Sequence, residues 1–376
     1  MPGYLWIREF FMTIRHAEEY RSPEISRKLA AQIGKISRRS IRLMEVCGTH
    51  TMSIFRHGIR SVLPETISLV SGPGCPVCVT AQNEIDAFIA LSEKDDVIIT
   101  TFGDLLKVPG SHSSLQEERA KGRDIRMVYS AFDALDIARK NPDRNIVFPG
   151  VGFETTAPTI AASIFSAKQM ELDNFFVFSA HKVVPPALFA LMENKKVRID
   201  GFILPGHVSV IIGTNAYLPF FERHGIPCVI AGFEPADILQ SVLMLVSQIE
   251  SHVSKLENAY PRAVSSQGNG KAMEMMGKVF ETADAGWRGL GVIPQSGLEI
   301  REKFADFDAR KKFKIQNSKF KIQKNGCICG EILTGLKEPP ECSLYKKICT
   351  PMNPVGPCMV SSEGTCAAYY RYHMER

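Results

Sequence analysis

The chain has 376 residues, of which 45% are hydrophobic and 23% charged, and its formal net charge is +5. This length predicts two or three domains, and the composition is ordinary for a globular protein. Because no apolar run approaches 18 residues, the sequence predicts no membrane-spanning helix. The first residues also lack a long apolar core, so we predict no signal peptide and a cytoplasmic location.

The positive charge comes from one stretch of the chain that contains no acidic residue. Without its seven basic residues, the rest of the chain has 38 basic and 40 acidic residues and is nearly neutral. We therefore predict no nucleic-acid partner. The stretch includes a near repeat, KFKIQ at 312–316 and 319–323, within a predicted basic insertion at 310–324. We interpret it as a solvated insertion or an edge hairpin, with a docking site for an acidic partner as the alternative. The basic residues are Arg310, Lys311, Lys312, Lys314, Lys319, Lys321 and Lys324.

In chain order, the first predicted element is a helix that begins at Ser22-Pro23-Glu24 and runs to about Ile36. Short β-branched runs then alternate with segments of crossover-helix length, which is typical of parallel sheets in an α/β fold. The predicted strands are 41–46, 66–70, 97–101, 125–129, 145–148, 175–179, 201–204 and 228–231, and helices include 82–92, 156–169 and 237–252.

Two sheets fit this many strands better than one, and we predict that the chain passes between them near residues 126–133. The predicted division is an α/β domain I at 41–126 and an α/β domain II at 127–298. The glycine-rich segment 287–297 is predicted to be irregular. The proline-rich tail that follows is predicted to need cross-links in order to fold.

The unusual motifs fall directly after predicted strands. Ligand sites of open parallel sheets lie beyond the carboxyl ends of the strands, so two facing sheets are expected to bring these loops to one cleft. The loops include CGTH at 47–50, GPGCPVC at 72–78, GFETT at 152–156 and PGHVS at 205–209.

Four tail cysteines have the spacing C-x12-C-x6-C-x16-C: Cys329, Cys342, Cys349 and Cys366. Four thiolates are a complete ligand set for a 4Fe–4S cluster or a structural zinc ion. The absence of paired C-x2-C knuckles favours the cluster over zinc. Cys327 and Cys358 remain in the same tail, as substitute ligands, as a redox disulfide beside the cluster, or as incidental thiols.

A second thiol group lies upstream and consists of Cys47, His50, Cys75 and Cys78. A predicted helix start at Cys47 favours the thiolate. Together these side chains offer three sulfur ligands and one nitrogen ligand to a metal such as iron. Transient iron binding and disulfide exchange remain alternatives for this group.

Glu154, in the GFETT loop, is a candidate site acid, although a helix-capping acid explains it equally well. The chain has no G-x4-G-K-[ST] loop and no full dinucleotide fingerprint, so ATP hydrolysis and hydride transfer lack their usual motifs.

These motifs resemble those of the HypD family of NiFe-hydrogenase maturation factors. The resemblance spans roughly residues 20–372. It is carried by MEVCGTH at 44–50, GPGCPVC at 72–78, TFGD at 101–104, GFETT at 152–156, PGHVS at 205–209, WRGLG at 287–291 and MVSSEGTC at 359–366.

The resemblance implies that the protein is a scaffold on which an Fe(CN)2CO unit is assembled together with a small HypC-type chaperone. The scaffold would serve a hydrogenase large subunit indirectly. Cyanide would arrive through HypE- and HypF-type proteins. Cys47, Cys75 and Cys78 would handle iron with His50 close by, and the four tail cysteines would hold a 4Fe–4S cluster. The implied fold adds to the two α/β domains a smaller cluster-binding domain III, formed by residues 1–40 with 299–376. Cys327 and Cys358 would form a redox pair similar to that of ferredoxin:thioredoxin reductase.

Two other functions use the same residues. An iron–sulfur-dependent protein disulfide reductase needs the cluster and the thiols but no Fe(CN)2CO unit. A zinc-stabilised binding module needs neither electron transfer nor iron.

Overall fold

The computed structural model describes residues 19–315 and 326–373. All eight strands predicted from the sequence are present, and their bounds differ from the predicted ones by at most two residues. They are β1 Ile41–Glu45, β2 Ile67–Ser71, β3 Val97–Thr101, β4 Ile125–Met127, β5 Asn145–Gly150, β6 Phe175–Ser179, β7 Gly201–Pro205 and β8 Cys228–Ala231. A ninth strand, β9 at Leu256–Asn258, was not predicted, since three residues are too few to show a period.

The strands form two parallel sheets, which confirms the predicted α/β class. The first sheet has the order β2-β1-β7-β8-β9 and the second has the order β4-β3-β5-β6. The chain thus starts in the first sheet, builds the whole second sheet and returns. The predicted single passage near residues 126–133 is therefore wrong, and the division at 126 and 127 does not coincide with the sheets. Strand–helix alternation predicts parallel strands but does not specify which strands are neighbours.

Helices connect the strands, and the predicted helix at Ser22 is confirmed. The Ser22 hydroxyl accepts a hydrogen bond from the Ile25 N–H, and Pro23 occupies the first turn. The helices are α1 Pro23–Ile36, α2 Gly48–Arg56, α3 Ile59–Val62, α4 Pro76–Val79, α5 Gln82–Ser92, α6 Gly103–Leu106, α7 Leu115–Ala120, α8 Ala131–Lys140, α9 Ala157–Gln169, α10 Val184–Glu193, α11 Gly206–Ile212, α12 Leu218–His224, α13 Pro235–Glu250, α14 Gly270–Val279, α15 Ala309–Lys312, α16 Cys329–Leu333 and α17 Thr365–Tyr372.

Helix α1 covers the first sheet. It packs along α13, and its fully buried Ile33 belongs to a core shared with Ile41 and Leu43 of β1. The backbone N–H groups of Arg38 and Arg39 both donate to the Glu250 carboxylate at the end of α13. The packing of α1 therefore differs from the predicted grouping of residues 1–40 with the tail.

Residues 287–297 belong to a β-hairpin, so the predicted irregular segment is wrong for most of its length. Strand β10 at Phe280–Trp287 pairs with β11 at Gly291–Ile300 in antiparallel register. The chain reverses direction at residues 288–290. Gly289, within this turn, has a φ of +84°, and Gly291, directly after it, has a φ of +79°. Glycine adopts this left-handed region without steric cost, so these glycines mark the turn rather than a loop.

The tail folds onto the two sheets through short elements. Besides α16 and α17, it contains 3-10 turns at Pro339–Glu341 and Pro357–Met359. Its buried cysteines share one continuous core with Met44 of β1 and Val147 of β5. Residues 316–325, which include most of the KFKIQ repeat, lie outside the described residues. The interpretation of this repeat therefore stays a prediction. None of the helices in the two described ranges combines the length and apolarity needed to cross a bilayer.

Candidate metal and thiol site

The loops after β1 and β2 touch each other at the carboxyl edge of the first sheet. Cys47 caps the N-terminus of α2, and Cys75 caps that of α4. The Gly48 N–H donates to the Gly74 carbonyl at 2.9 Å. A Cβ atom at Gly74 would lie only 2.1 Å from the Cys47 nitrogen, so the two backbones approach to a distance that only glycine permits. This contact places Cys47 beside the GPGCPVC loop.

Cys75 and Cys78 are joined by a disulfide. Pro76 lies in the first turn of α4, and this turn brings the two sulfur atoms together. The Cys78 sulfur lies 3.9 Å from the carbonyl oxygen of Pro357, the residue before Cys358. The upstream cysteines therefore border the tail that carries the other thiol group.

The Cys47 thiol is buried, and this burial raises its pKa to about 12. The nearby carboxylates of Glu363 and Glu45 also raise the pKa, while the backbone N–H groups of His50 and Thr49 oppose them. Desolvation therefore outweighs the helix start, contrary to the predicted preference for thiolate. The thiol needs an added positive charge to ionise near neutral pH.

His50 lies on α2 and is completely buried. Its Nε2 is 2.9 Å from the Gly232 carbonyl and 3.2 Å from that of Ala231, and two carbonyl acceptors place the ring hydrogen on Nε2. Burial lowers the pKa of His50 to about 4, so the ring is neutral. Its Nδ1 has no hydrogen-bond partner. A histidine held by one N–H on a carbonyl, with the other nitrogen available, has the arrangement of a metal ligand or proton acceptor.

Two carboxylates at the site were missed by the sequence analysis. The Glu45 side chain ends β1 and accepts hydrogen bonds from Thr51 at 2.5 Å and from the Cys47 N–H at 3.3 Å. Its burial raises the pKa to about 8, so it holds a proton near neutrality. Glu363 comes from the tail and accepts a hydrogen bond from the Thr49 hydroxyl at 2.6 Å. Two signals could have identified them: Glu45 is an acid within an apolar strand, and Glu363 lies three residues before Cys366.

Glu154 belongs to the second sheet and follows β5. Its Oε1 accepts a hydrogen bond from the Val184 N–H at 2.9 Å, so it caps α10 rather than the helix that follows it in sequence. Its Oε2 is buried without a partner, and burial raises the pKa to about 7. Burial also raises the pKa of Tyr217, with added effects from the charges of Glu154 and Cys47. Tyr217 therefore lies close enough to interact electrostatically with Cys47 of the first sheet and with Glu154 of the second.

Replacing Glu154 with glutamine is expected to remove a pH dependence of stability. The folded wild type keeps a proton on Glu154 up to about pH 7, whereas an unfolded carboxyl loses it near 4.5. The folded state thus binds more protons across this window, and wild-type stability falls as pH rises through it, by up to about 3 kcal/mol. Glu154→Gln keeps the bond to Val184 but cannot ionise. Urea unfolding of both proteins from pH 4.5 to 8 should show the variant gaining relative stability up to about pH 7; parallel curves would contradict the assignment.

Other contacts join the two sheets above their carboxyl ends. Lys182, after β6, forms a buried ion pair with Glu84 of α5 at 2.9 Å. Within the first sheet itself, the loops after β7 and β8 also touch, because the His207 ring stacks on Phe233 with centroids 3.8 Å apart. The charge of Asp104, after β3, acts on Glu363 beside Cys47. The loop after β6 thus touches the helix that follows the GPGCPVC loop, and the tail reaches the neighbourhood of Cys47 through Glu363.

Six tail cysteines come together behind this site. A small cavity is lined by sulfur-bearing and apolar side chains, and Cys329 makes sulfur hydrogen bonds to Cys327 and Cys358 at its edge. Burial raises the pKa of Cys349 and of Cys366. The disulfide between Cys75 and Cys78 involves neither Cys327 nor Cys358, and a redox pair formed by these two tail cysteines stays a prediction. The cysteines that line the cavity are Cys327, Cys342, Cys349, Cys358 and Cys366.

The donor set of this cavity is made of sulfur. Among the residues that the structure describes, no carboxylate or imidazole lines it, and soft thiolates select iron–sulfur clusters or zinc over hard cations. The surrounding Ile332, Leu344 and Met359 exclude water from the sulfurs. The residues present thus fit a 4Fe–4S cluster, although the structure does not single out four of the six cysteines. Within residues 19–315 and 326–373, however, no three His, Cys, Asp or Glu side chains are arranged so that they could hold a single metal ion.

Comparisons with known proteins agree with the motifs. The family model HypD, described as the hydrogenase formation hypA family, matches residues 24–373. The chain is 45% identical over 372 residues to the hydrogenase maturation factor HypD of Azotobacter vinelandii, covering 96% of this chain and 98% of that one. It is 45% identical over 369 residues to HypD of Cupriavidus necator, covering 96% and 97%. A putative hydrogenase expression/formation protein of Methanocaldococcus jannaschii is 46% identical over 345 residues, covering 92% and 94%.

Proposed function

Because this chain belongs to the HypD family of hydrogenase maturation factors, we propose that it is the scaffold on which an Fe(CN)2CO unit is assembled and passed on. In this proposal the iron unit is the cargo, handled by Cys47, Cys75 and Cys78 with His50 beside them. A small HypC-type chaperone shares the cargo, and a HypE-type protein delivers cyanide. The hydrogenase large subunit receives the completed unit indirectly.

The observation that carries this proposal is the backbone contact between the two upstream loops. The bond from the Gly48 N–H to the Gly74 carbonyl brings the buried Cys47 next to the Cys75–Cys78 pair. The Nδ1 of His50, also on α2, lacks a partner. Cyanide and carbon monoxide are strong-field ligands that stabilise low-spin iron(II), and soft sulfur completes that coordination. The charge of iron(II) also offsets the desolvation that keeps the Cys47 thiol protonated.

The Cys75–Cys78 disulfide supplies the redox control in this proposal. Its sulfurs are not available to iron while they are bonded to each other. Reduction breaks the S–S bond, takes up two electrons and two protons and yields two thiols, which lose their protons when they bind iron. The disulfide therefore sets when the loop holds iron and when it releases iron.

The tail cysteines Cys329, Cys342, Cys349 and Cys366 would hold a 4Fe–4S cluster, which supplies single electrons when bound. Cys78 contacts Pro357, so the disulfide borders the segment that carries Cys358. Cys329 is within hydrogen-bonding reach of both Cys327 and Cys358, and this proximity supports a thiol pair beside the cluster. Electrons then have a short path from the tail to the disulfide.

A second function is favoured by the same disulfide. An iron–sulfur-dependent protein disulfide reductase would use the tail cysteines and Cys75–Cys78 on a protein substrate, without any Fe(CN)2CO cargo. The buried position of Cys47, only 7% exposed, gives this alternative no evident use for a third upstream thiol.

Infrared spectroscopy separates the two functions. The chain should be purified without oxygen after co-expression with HypC-, HypE- and HypF-type proteins. We expect CN and CO stretching bands on the complex, and we expect these bands to disappear when the HypE-type protein is left out. A preparation that reduces protein disulfides rapidly but shows no such bands would support the reductase instead.

A further inference from the structure

Arg288, at the turn of the β10–β11 hairpin, is fixed to the segment that follows the disulfide. Its backbone N–H donates to the Val79 carbonyl at 2.8 Å. Its side chain donates from Nε to the Thr80 carbonyl at 3.1 Å and from Nη1 to the Gln82 Oε1 at 2.8 Å. One backbone and two guanidinium hydrogen bonds thus hold Arg288 next to the end of α4, which carries Cys78.

The other side of the same turn lies against the tail cysteines. Gly289 packs on Gly330, the residue after Cys329, and a Cβ atom at Gly289 would lie 2.4 Å from the Gly330 Cα. Only a glycine pair permits this approach of the turn to the start of α16. Arg288 therefore lies between the disulfide-bearing helix and the first tail cysteines.

The third nitrogen of the guanidinium, Nη2, is buried without a hydrogen-bond partner. A buried unpaired donor on a charged group costs about 1–3 kcal/mol or more, so its presence requires an explanation. The hydrogen bond with Cys329 raises the pKa of the Cys327 thiol most, and the positive charge of Arg288 opposes this rise. The same charge acts on Cys329 and Cys358. Its field thus reaches three of the six tail sulfurs.

We propose that Arg288 is a positioning residue whose fixed positive charge raises the reduction potential of the cluster held by the tail cysteines. This inference rests on the proposed cluster. Adding one electron to a cluster adds one negative charge, which a nearby cation stabilises in a medium of low dielectric constant. Arginine suits the role because it stays charged when buried. The hydrogen bonds to Thr80 and Gln82 keep the charge at a constant distance while the disulfide opens and closes.

The test is a redox titration of the cluster in the intact, anaerobically purified chain, followed by electron paramagnetic resonance. Arg288→Gln is expected to lower the equilibrium constant for cluster reduction at least tenfold, a shift of about 59 mV to more negative potential. Arg288→Lys should keep most of the wild-type potential, because it keeps the charge. Arg301→Gln is the matched control, since Arg301 bonds to Gly277, Phe280 and Glu281 at the far end of the same hairpin.

Iron, sulfide and thermal unfolding are measured on every variant. A wild-type potential in Arg288→Gln with a full cluster would overturn the inference, as would an equal shift in Arg288→Lys, which would point to packing. If Arg288→Gln loses its cluster, Arg288→Met is measured in its place, since it also removes the charge but keeps an unbranched side chain; a wild-type potential in Arg288→Met with a full cluster then overturns the inference. A wild-type chain without any cluster rejects the proposed function itself, and this inference with it.

Discussion

Cys47→Ala is expected to abolish hydrogenase maturation while the chain keeps its cluster and its fold. The variant removes the upstream sulfur that the disulfide does not engage, so iron loses a ligand even when Cys75 and Cys78 are reduced. The thiol makes few polar contacts, and its removal should cost about 1 kcal/mol of stability. Hydrogenase activity in cells that depend on this chain should fall to background, and the CN and CO bands should be absent from the purified complex.

Cys228→Ala is the matched control for this prediction. Cys228 is also a fully buried, free thiol whose pKa burial raises to about 12, but it lies within β8 of the first sheet. Its alanine variant should mature hydrogenase normally. Loss of the visible cluster absorbance in Cys47→Ala would contradict the separation of the two thiol groups, and normal maturation by that variant would reject Cys47 as an iron ligand.

Cys342→Ala is expected to lose the cluster and to destabilise the tail. Cys342 lines the sulfur cavity together with Cys349 and Cys366, and metal binding contributes directly to the folding free energy of a segment rich in loops. The loss should be on the order of several kcal/mol, as for other structural metal sites. Iron and sulfide should fall to background, and limited proteolysis should cut the chain between residues 326 and 373.

Cys358→Ala distinguishes a ligand from a neighbouring thiol. Cys358 lines the same cavity and is as deeply buried as any of the assigned ligands. Its alanine variant should keep iron, sulfide and the cluster absorbance, but should reduce the Cys75–Cys78 disulfide more slowly. If Cys342→Ala kept a full cluster and Cys358→Ala lost it, Cys358 would be the cluster ligand and Cys342 the neighbouring thiol.

Local sequence information was sufficient for most individual elements. The Ser22-Pro23 start, the β-branched runs and the crossover helices all depend on neighbouring residues, and the structure confirms them. The hairpin at 280–300 was missed because Gly289 and Gly291 suggested a loop. The Cys47 motif was also recognised, but its predicted preference for thiolate was wrong. Burial raises the pKa of the Cys47 thiol, and burial depends on residues far away in sequence.

The sequence by itself determined the α/β class, the family and two separate groups of cysteines, since these depend on short-range periodicity and on local motifs. Tertiary structure alone decided that β7 lies beside β1, that Glu154 caps α10, and that Glu363 reaches Thr49 from the tail. Each of these contacts joins residues that are at least 30 positions apart. Their formation depends on the packing of the whole core, and no pattern of neighbouring residues encodes it.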